Sequence, residues 1–104
     1  MVPREHHRVR IRLPARLRWT TPFGQKIELS ETMDVSRGGL LASSKESHAV
    51  GVPLWVTFPY DASSPEGQPE VVARTVRCDG LPSAPRTFAL AIHFEGPAPH
   101  PARS

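Results

Sequence analysis

A length of 104 residues bounds this chain to one domain, able to bury roughly 60–70% of its unfolded surface. The formal charge is +3, 11 of the 13 basic residues are arginine and six of these precede Trp19, so the positive field sits in an N-terminal arm and points to an anionic partner. A single cysteine, Cys78, excludes an internal disulfide; with no signal-peptide-like stretch and no apolar run near ~20 residues, the expectation is a cytoplasmic protein without membrane insertion.

Twelve prolines and seven glycines divide the chain into short pieces whose apolar residues recur with a period of two, the signature of a mostly β domain. Val9, Ile11, Leu13, Ala15, Leu17 and Trp19 alternate with Arg8, Arg10, Arg12, Pro14, Arg16 and Arg18, which places apolar side chains on one face and arginines on the other. Pro14 predicts an interruption or an edge position in that run. Residues 27–35 predict a second strand, with Ile27, Leu29, Met33 and Val35 on one side and Glu28, Ser30, Thr32 and Asp34 on the other. Asp34 and Ser36 then share the solvent side. After Gly38-Gly39, a third strand covers residues 40–43, residues 45–50 form a turn or short helical segment, and Val52, Leu54, Val56 and Phe58 alternate as a fourth.

Residues 59–69 read as an exposed loop rich in Pro, Ser and Gly. Two further strands cover residues 70–78 and 87–94, the last with Phe88, Leu90, Ile92 and Phe94 inward and Ala89, Ala91 and His93 outward. The tail, residues 95–104, carries three of the prolines at alternating positions and is expected to be disordered. No internal repeat is evident in the sequence. Six short strands in one flat sheet leave edges and an apolar face exposed, whereas closure removes both. The expected architecture is an all-β, small six-stranded antiparallel barrel over residues 13–94, with a flexible Arg-rich arm at 1–12.

Two clusters carry chemistry. Arg4-Glu5-His6-His7-Arg8 offers two planar cations, each able to donate paired hydrogen bonds to phosphate oxygens or to guanine O6 and N7. Asp34-Val35-Ser36-Arg37-Gly38-Gly39 offers a carboxylate complementary to the ring N–H and exocyclic amine of guanine, a hydroxyl on the same side of the strand, and glycines that allow positive φ and a close backbone approach. In extended chain Arg4 and Arg8 lie roughly 13 Å apart, so the arm bends between them or they serve different groups of a larger ligand. The spacing recurs as Arg8/Arg12 and Arg12/Arg16, which leaves the register of the arm open.

These clusters, in this order and strand context, resemble the PilZ domain family of bacterial cyclic di-GMP receptors over residues 4–94. The first looks like the family's Arg-x-x-x-Arg motif and the second like its Asp-x-Ser-x-x-Gly motif; Leu13-Pro14-Ala15, residues 71–77 and residues 89–94 are also similar to family strands. Ala91 stands where the closing strand often has glycine, and the helix that often follows is missing. The resemblance implies a non-enzymatic receptor in which the arm folds over cyclic di-GMP. Arg4 and Arg8 would contact phosphate and guanine, Asp34 and Ser36 a guanine and its ribose, and Gly39 would allow close approach. Pro3 leaves the number of bound nucleotides open. The family's outputs imply an effector protein partner and control of motility, biofilm or polysaccharide.

Two alternatives stand beside this reading. One is an arginine stripe, Arg8 to Arg18, tracking nucleic acid, although Trp55 and Tyr60 are the only evident outward aromatics for base stacking. The other is an interaction module without nucleotide binding. No nucleophile sits with an evident base, and His6, His7, His48, His93 and Cys78 lack metal-ligand spacing, so neither catalysis nor a metal cofactor is expected.

Overall fold

The structure, a computed structural model, describes residues 9–64 and 66–96. Among these residues are six strands: β1 (Pro14–Thr21), β2 (Gly24–Ser36), β3 (Gly39–Ser44), β4 (Pro53–Thr57), β5 (Val71–Leu81) and β6 (Ala84–Phe94). They close into an antiparallel barrel in the order β1-β2-β3-β6-β5-β4. Alternation drives the closure, as in β1, where Ala15, Leu17 and Trp19 point inward and Arg16 and Arg18 outward. Leu17, Leu54, Val56 and Leu90 are fully buried and meet Trp19, Leu40, Ile92 and Phe94 in a single core. No helix among the described residues is long and apolar enough to cross a membrane.

The expected facing of β2 is inverted over its first half. Ile27 and Leu29 are exposed, while Thr32 is buried. The cause is a bulge in the pairing with β3, where Thr32 opposes Ala42 but Asp34 already opposes Leu41. One extra residue, Met33, shifts the period-two parity, so even-numbered positions face inward before it and Val35 faces inward after it. Asp34 and Ser36 therefore keep their outward aim. Strand boundaries also differ. The first strand begins at Pro14, and β5 and β6 run on to a tight turn at residues 82–83, with Leu81 opposite Ala84; of the two alternatives for residues 45–50, the turn is the one found. The tail expectation falls on residues 97–104, outside the described residues, but Glu95 is docked, donating its N–H to Val72 O at 2.8 Å.

A structural repeat underlies the barrel although the sequence shows none. Pro14 opens β1 opposite Glu31, and Pro53 opens β4 opposite Arg74. The residue after each partner is a buried threonine, Thr32 or Thr75. Thr32 N–H donates to Leu13 O at 2.9 Å, and Thr75 N–H to Val52 O at 3.1 Å. In return Leu13 N–H and Val52 N–H donate to the two threonine Oγ1 atoms, each at 3.0 Å. Each threonine is followed by a bulge. A proline at strand entry suits this arrangement because it has no N–H to place and holds the preceding residue extended. Thus β1-β2-β3 and β4-β5-β6 are two versions of one unit, joined antiparallel at β1–β4 and β3–β6.

Outside the barrel, Arg16 and Arg18 converge on Glu70, with Arg18 donating from Nε at 2.8 Å and Nη2 at 2.7 Å, and Arg16 from Nη2 at 3.3 Å. The guanidinium of Arg18 lies 4.6 Å from the Trp55 ring centroid and that of Arg16 lies 5.5 Å from the Tyr60 centroid. All three charged side chains are about four-fifths buried. The hydrogen bonds from Arg18 hold the Glu70 carboxyl below its ordinary range. At one end of the barrel His48 is buried edge-on against Trp19, with ring centroids 4.7 Å apart, and burial lowers its pKa. Glu28 and Glu46 pull that value upward and Lys26 pulls it down, but desolvation dominates.

Two acid-sensitive windows follow from the signs. A neutral buried His48 contributes stability that is complete above its ordinary value near 6.5 and is lost as pH falls through its lower folded pKa. Glu70 contributes stability complete above 4.5 and lost as pH falls through its depressed value. Thermal melts of His48→Phe are expected to show a shallower decline just below pH 6.5 than wild type. Glu70→Gln is expected to lose about 1–3 kcal/mol at pH 7, and to converge with wild type only as pH falls through the depressed folded value of the wild-type carboxylate.

Candidate functional site

The end of β2, the turn at residues 37–38 and the start of β3 place Asp34 and Ser36 on the outer barrel surface. Backbone pairing continues from each of them across the sheet. One row runs Asp34, Leu41, Ala91, Arg77, and the next runs Ser36, Gly39, His93, Arg74. Leu41 and Ala91 form a half-buried apolar floor, and Arg37, His93, Arg74 and Arg77 are exposed around it. Arg74 is tied to Glu95 by Nε at 2.6 Å and to Gly51 O by Nη1 at 2.8 Å, and Arg77 Nε meets Asp79 at 2.9 Å. The floor with its polar rim can carry a flat, partly apolar ring system bearing anionic groups.

The arm reaches this turn. Val9 and Val35 exchange both backbone hydrogen bonds, N–H to O, at 2.8 Å each. The segment immediately preceding β1 is thus paired with the residue between Asp34 and Ser36. Arg4, Arg8, Pro3, His6 and His7 lie outside the described residues. Of the candidates, the structure brings Asp34, Ser36 and Gly39 together at the hairpin, with Val9, the residue after Arg8, laid against them.

Gly39 has a different physical reason from the one expected. Neither it nor Gly38 has a left-handed φ; among the glycines, Gly24, Gly51 and Gly67 do. A Cβ on Gly39 would lie 2.0 Å from Ile92 O and 3.1 Å from His93 Cα, so β3 and β6 approach too closely there for any side chain. Gly38 is permissive, since a Cβ there would come no nearer than 4.0 Å to the His93 ring, and its carbonyl accepts from Phe94 N–H at 2.8 Å. Ser36 Oγ donates to Gly39 O at 3.3 Å across the turn and keeps its lone pairs as acceptors.

Several site residues escape a reading of the sequence. Leu41 and His93 join the surface only through pairing across β3 and β6, and Thr32 looks like an outward polar residue until the bulge turns it inward. The arginine stripe is also reduced. Arg16 and Arg18 are committed to Glu70 and cover Trp55 and Tyr60, which leaves Phe23 as the exposed aromatic among the described residues. Among the described residues, no group of three or more His, Cys, Asp or Glu is placed to hold a metal ion.

The fold is similar to that in the solved structure of the Bacillus subtilis Inhibitor of motility (MotI/DgrA), which matches with a TM-score of 0.66 at 16% identity, over 94% of this chain and 45% of that one. This chain therefore spans less than half the length of that protein. No curated protein matches it. The family model of the PilZ domain matches residues 3–102, and the chain belongs to the PilZ family, whose ligand is cyclic di-GMP.

Gly39→Ala is expected to destabilise the domain by about 3 kcal/mol or more, because the clash is with backbone rather than a movable side chain. Gly38→Ala is expected to stay within about 1 kcal/mol of wild type. Chemical denaturation of the two variants checks this, and equal midpoints would contradict the packing described.

Proposed function

We propose that this domain is a receptor for cyclic di-GMP, and that it signals by binding rather than by catalysis. In this reading Arg8 and Arg4 grip phosphate and guanine, the Asp34 carboxylate accepts from the guanine ring N–H and exocyclic amine, and Ser36 meets the same nucleotide at its ribose. The Leu41–Ala91 floor lies under the rings. Gly39 contributes indirectly, by letting β3 seat against β6 so that the turn presents Asp34 and Ser36.

The observation that carries the proposal is the reciprocal Val9–Val35 pair. It attaches an arginine-rich segment to the strand that presents the carboxylate and the hydroxyl, in a chain whose family takes this nucleotide. Ligand binding orders the arm, and the changed arginine surface is what an effector protein reads. The likeness to an inhibitor of motility makes motility the first output to assay, beside biofilm and polysaccharide production. The nucleic-acid reading has less support, since Arg16 and Arg18 are held against the barrel wall by Glu70.

Isothermal titration calorimetry with cyclic di-GMP is expected to give saturable binding, with Arg8→Ala and Asp34→Ala each weaker by at least about tenfold, or 1.4 kcal/mol. Arg4→Ala tests the register, since a silent Arg4 with a sensitive Arg12 would move the grip to Arg8/Arg12. No heat from the wild-type protein overturns the proposal.

A further inference from the structure

We propose that the Thr32 side chain is the positioning residue of the arm, a hydroxyl clip that sets the register between the arm arginines and the Asp34–Ser36 edge. The inference rests on the receptor reading above for its functional meaning, and on the hydrogen bonds of Thr32 for its geometry.

The arm meets the barrel at two places. Farther out is the Val9–Val35 pair, and nearer β1 is the Leu13–Thr32 pair. Between them the arm has three residues, Arg10, Ile11 and Arg12, where β2 has two, Met33 and Asp34, so the arm carries the extra residue and bows away from the sheet. All three bowed residues are exposed. A loop of this kind can slip by one residue, and a slip would turn every arm side chain to the other face.

Thr32 closes the neck of the bow. Its Oγ1 donates to Ile11 O and accepts from Leu13 N–H at 3.0 Å, so one hydroxyl satisfies the two backbone groups that the irregularity leaves without ladder partners. The residue is 1% exposed, which keeps water from replacing either bond. Arg12 adds an exposed ion pair to Glu31 at 3.3 Å, too solvated to fix the register alone. The bulge that turns Thr32 inward also turns Asp34 outward, so the clip and the carboxylate are positioned by the same irregularity.

The other half of the barrel supplies an internal control. Thr75 makes the same two bonds to the segment before β4, donating to Ala49 O at 2.6 Å and accepting from Val52 N–H at 3.0 Å. It is equally buried, but the segment it holds carries no arginine motif. Removing either hydroxyl deletes the same chemistry from the same kind of site, and only one of them holds the arm.

The test compares Thr32→Val, Thr32→Ser and Thr75→Val in the full chain by amide hydrogen exchange without ligand and by calorimetry with cyclic di-GMP. Thr32→Val is expected to speed exchange at Val9 and Leu13 and to weaken binding, each by about tenfold, while Thr32→Ser behaves as wild type. Thr75→Val is expected to speed exchange at Val52 and lower the melting temperature comparably, with binding unchanged. Unaltered Val9 exchange in Thr32→Val, or equal losses of affinity in Thr32→Val and Thr75→Val, overturns the clip. If the wild-type protein binds no cyclic di-GMP, the receptor reading fails by itself, and exchange at Val9 still decides whether Thr32 holds the arm.

Discussion

Parity along β2 is the constraint on which the other features depend. A strand with strict alternation cannot place both Thr32 and Val35 inward, nor keep Asp34 and Ser36 outward while burying Thr32. The single bulged residue, Met33, makes this possible, and it lies between the part of β2 that pairs with β1 and the part that presents the site. Without it, Ile27 and Leu29 would have to enter the barrel, where Leu17, Leu54 and Leu90 already fill the space. The exposed Ile27 and Leu29 are therefore the counterpart of a correctly aimed carboxylate.

The architecture was legible in the sequence because alternation is local, and the inward residues of β1, β4 and β6 stand in a plain period of two. The turn at residues 36–39 was legible too, since paired glycines between two period-two runs mark the end of one strand and the start of the next. The bulge was not, because Thr32 and Met33 carry no mark that distinguishes a bulged strand from a regular one. The reason for Gly39 was hidden as well. Its neighbour across the sheet, Ile92, is 53 positions away, and nothing local indicates a backbone approaching from that distance. Glu70, at the end of a loop, gave no hint that it gathers Arg16 and Arg18 on a distant strand.

The twofold character of the barrel explains how so short a chain closes. One solution, a proline entry clasped by a buried threonine beside a bulge, is used twice, and antiparallel pairing of like strands at β1–β4 and β3–β6 leaves no edge. The halves then diverge. After Thr32 the chain turns tightly at residues 37–38, whereas after Thr75 it continues into the long β5–β6 hairpin. The turn surface is consequently built in one half alone, and the chemistry at Asp34 has a cation, Arg77, as its counterpart in the other.

Gly39 carries a warning for any mutational scan of this domain. Because its missing Cβ is what lets two backbones touch, every substitution there depletes folded protein, and a screen scored on ligand retention alone would record that loss as though glycine touched the ligand. Scores normalised to the amount of folded protein separate the two kinds of position. On that scale a loss of binding surface and a loss of the wall behind it are read apart.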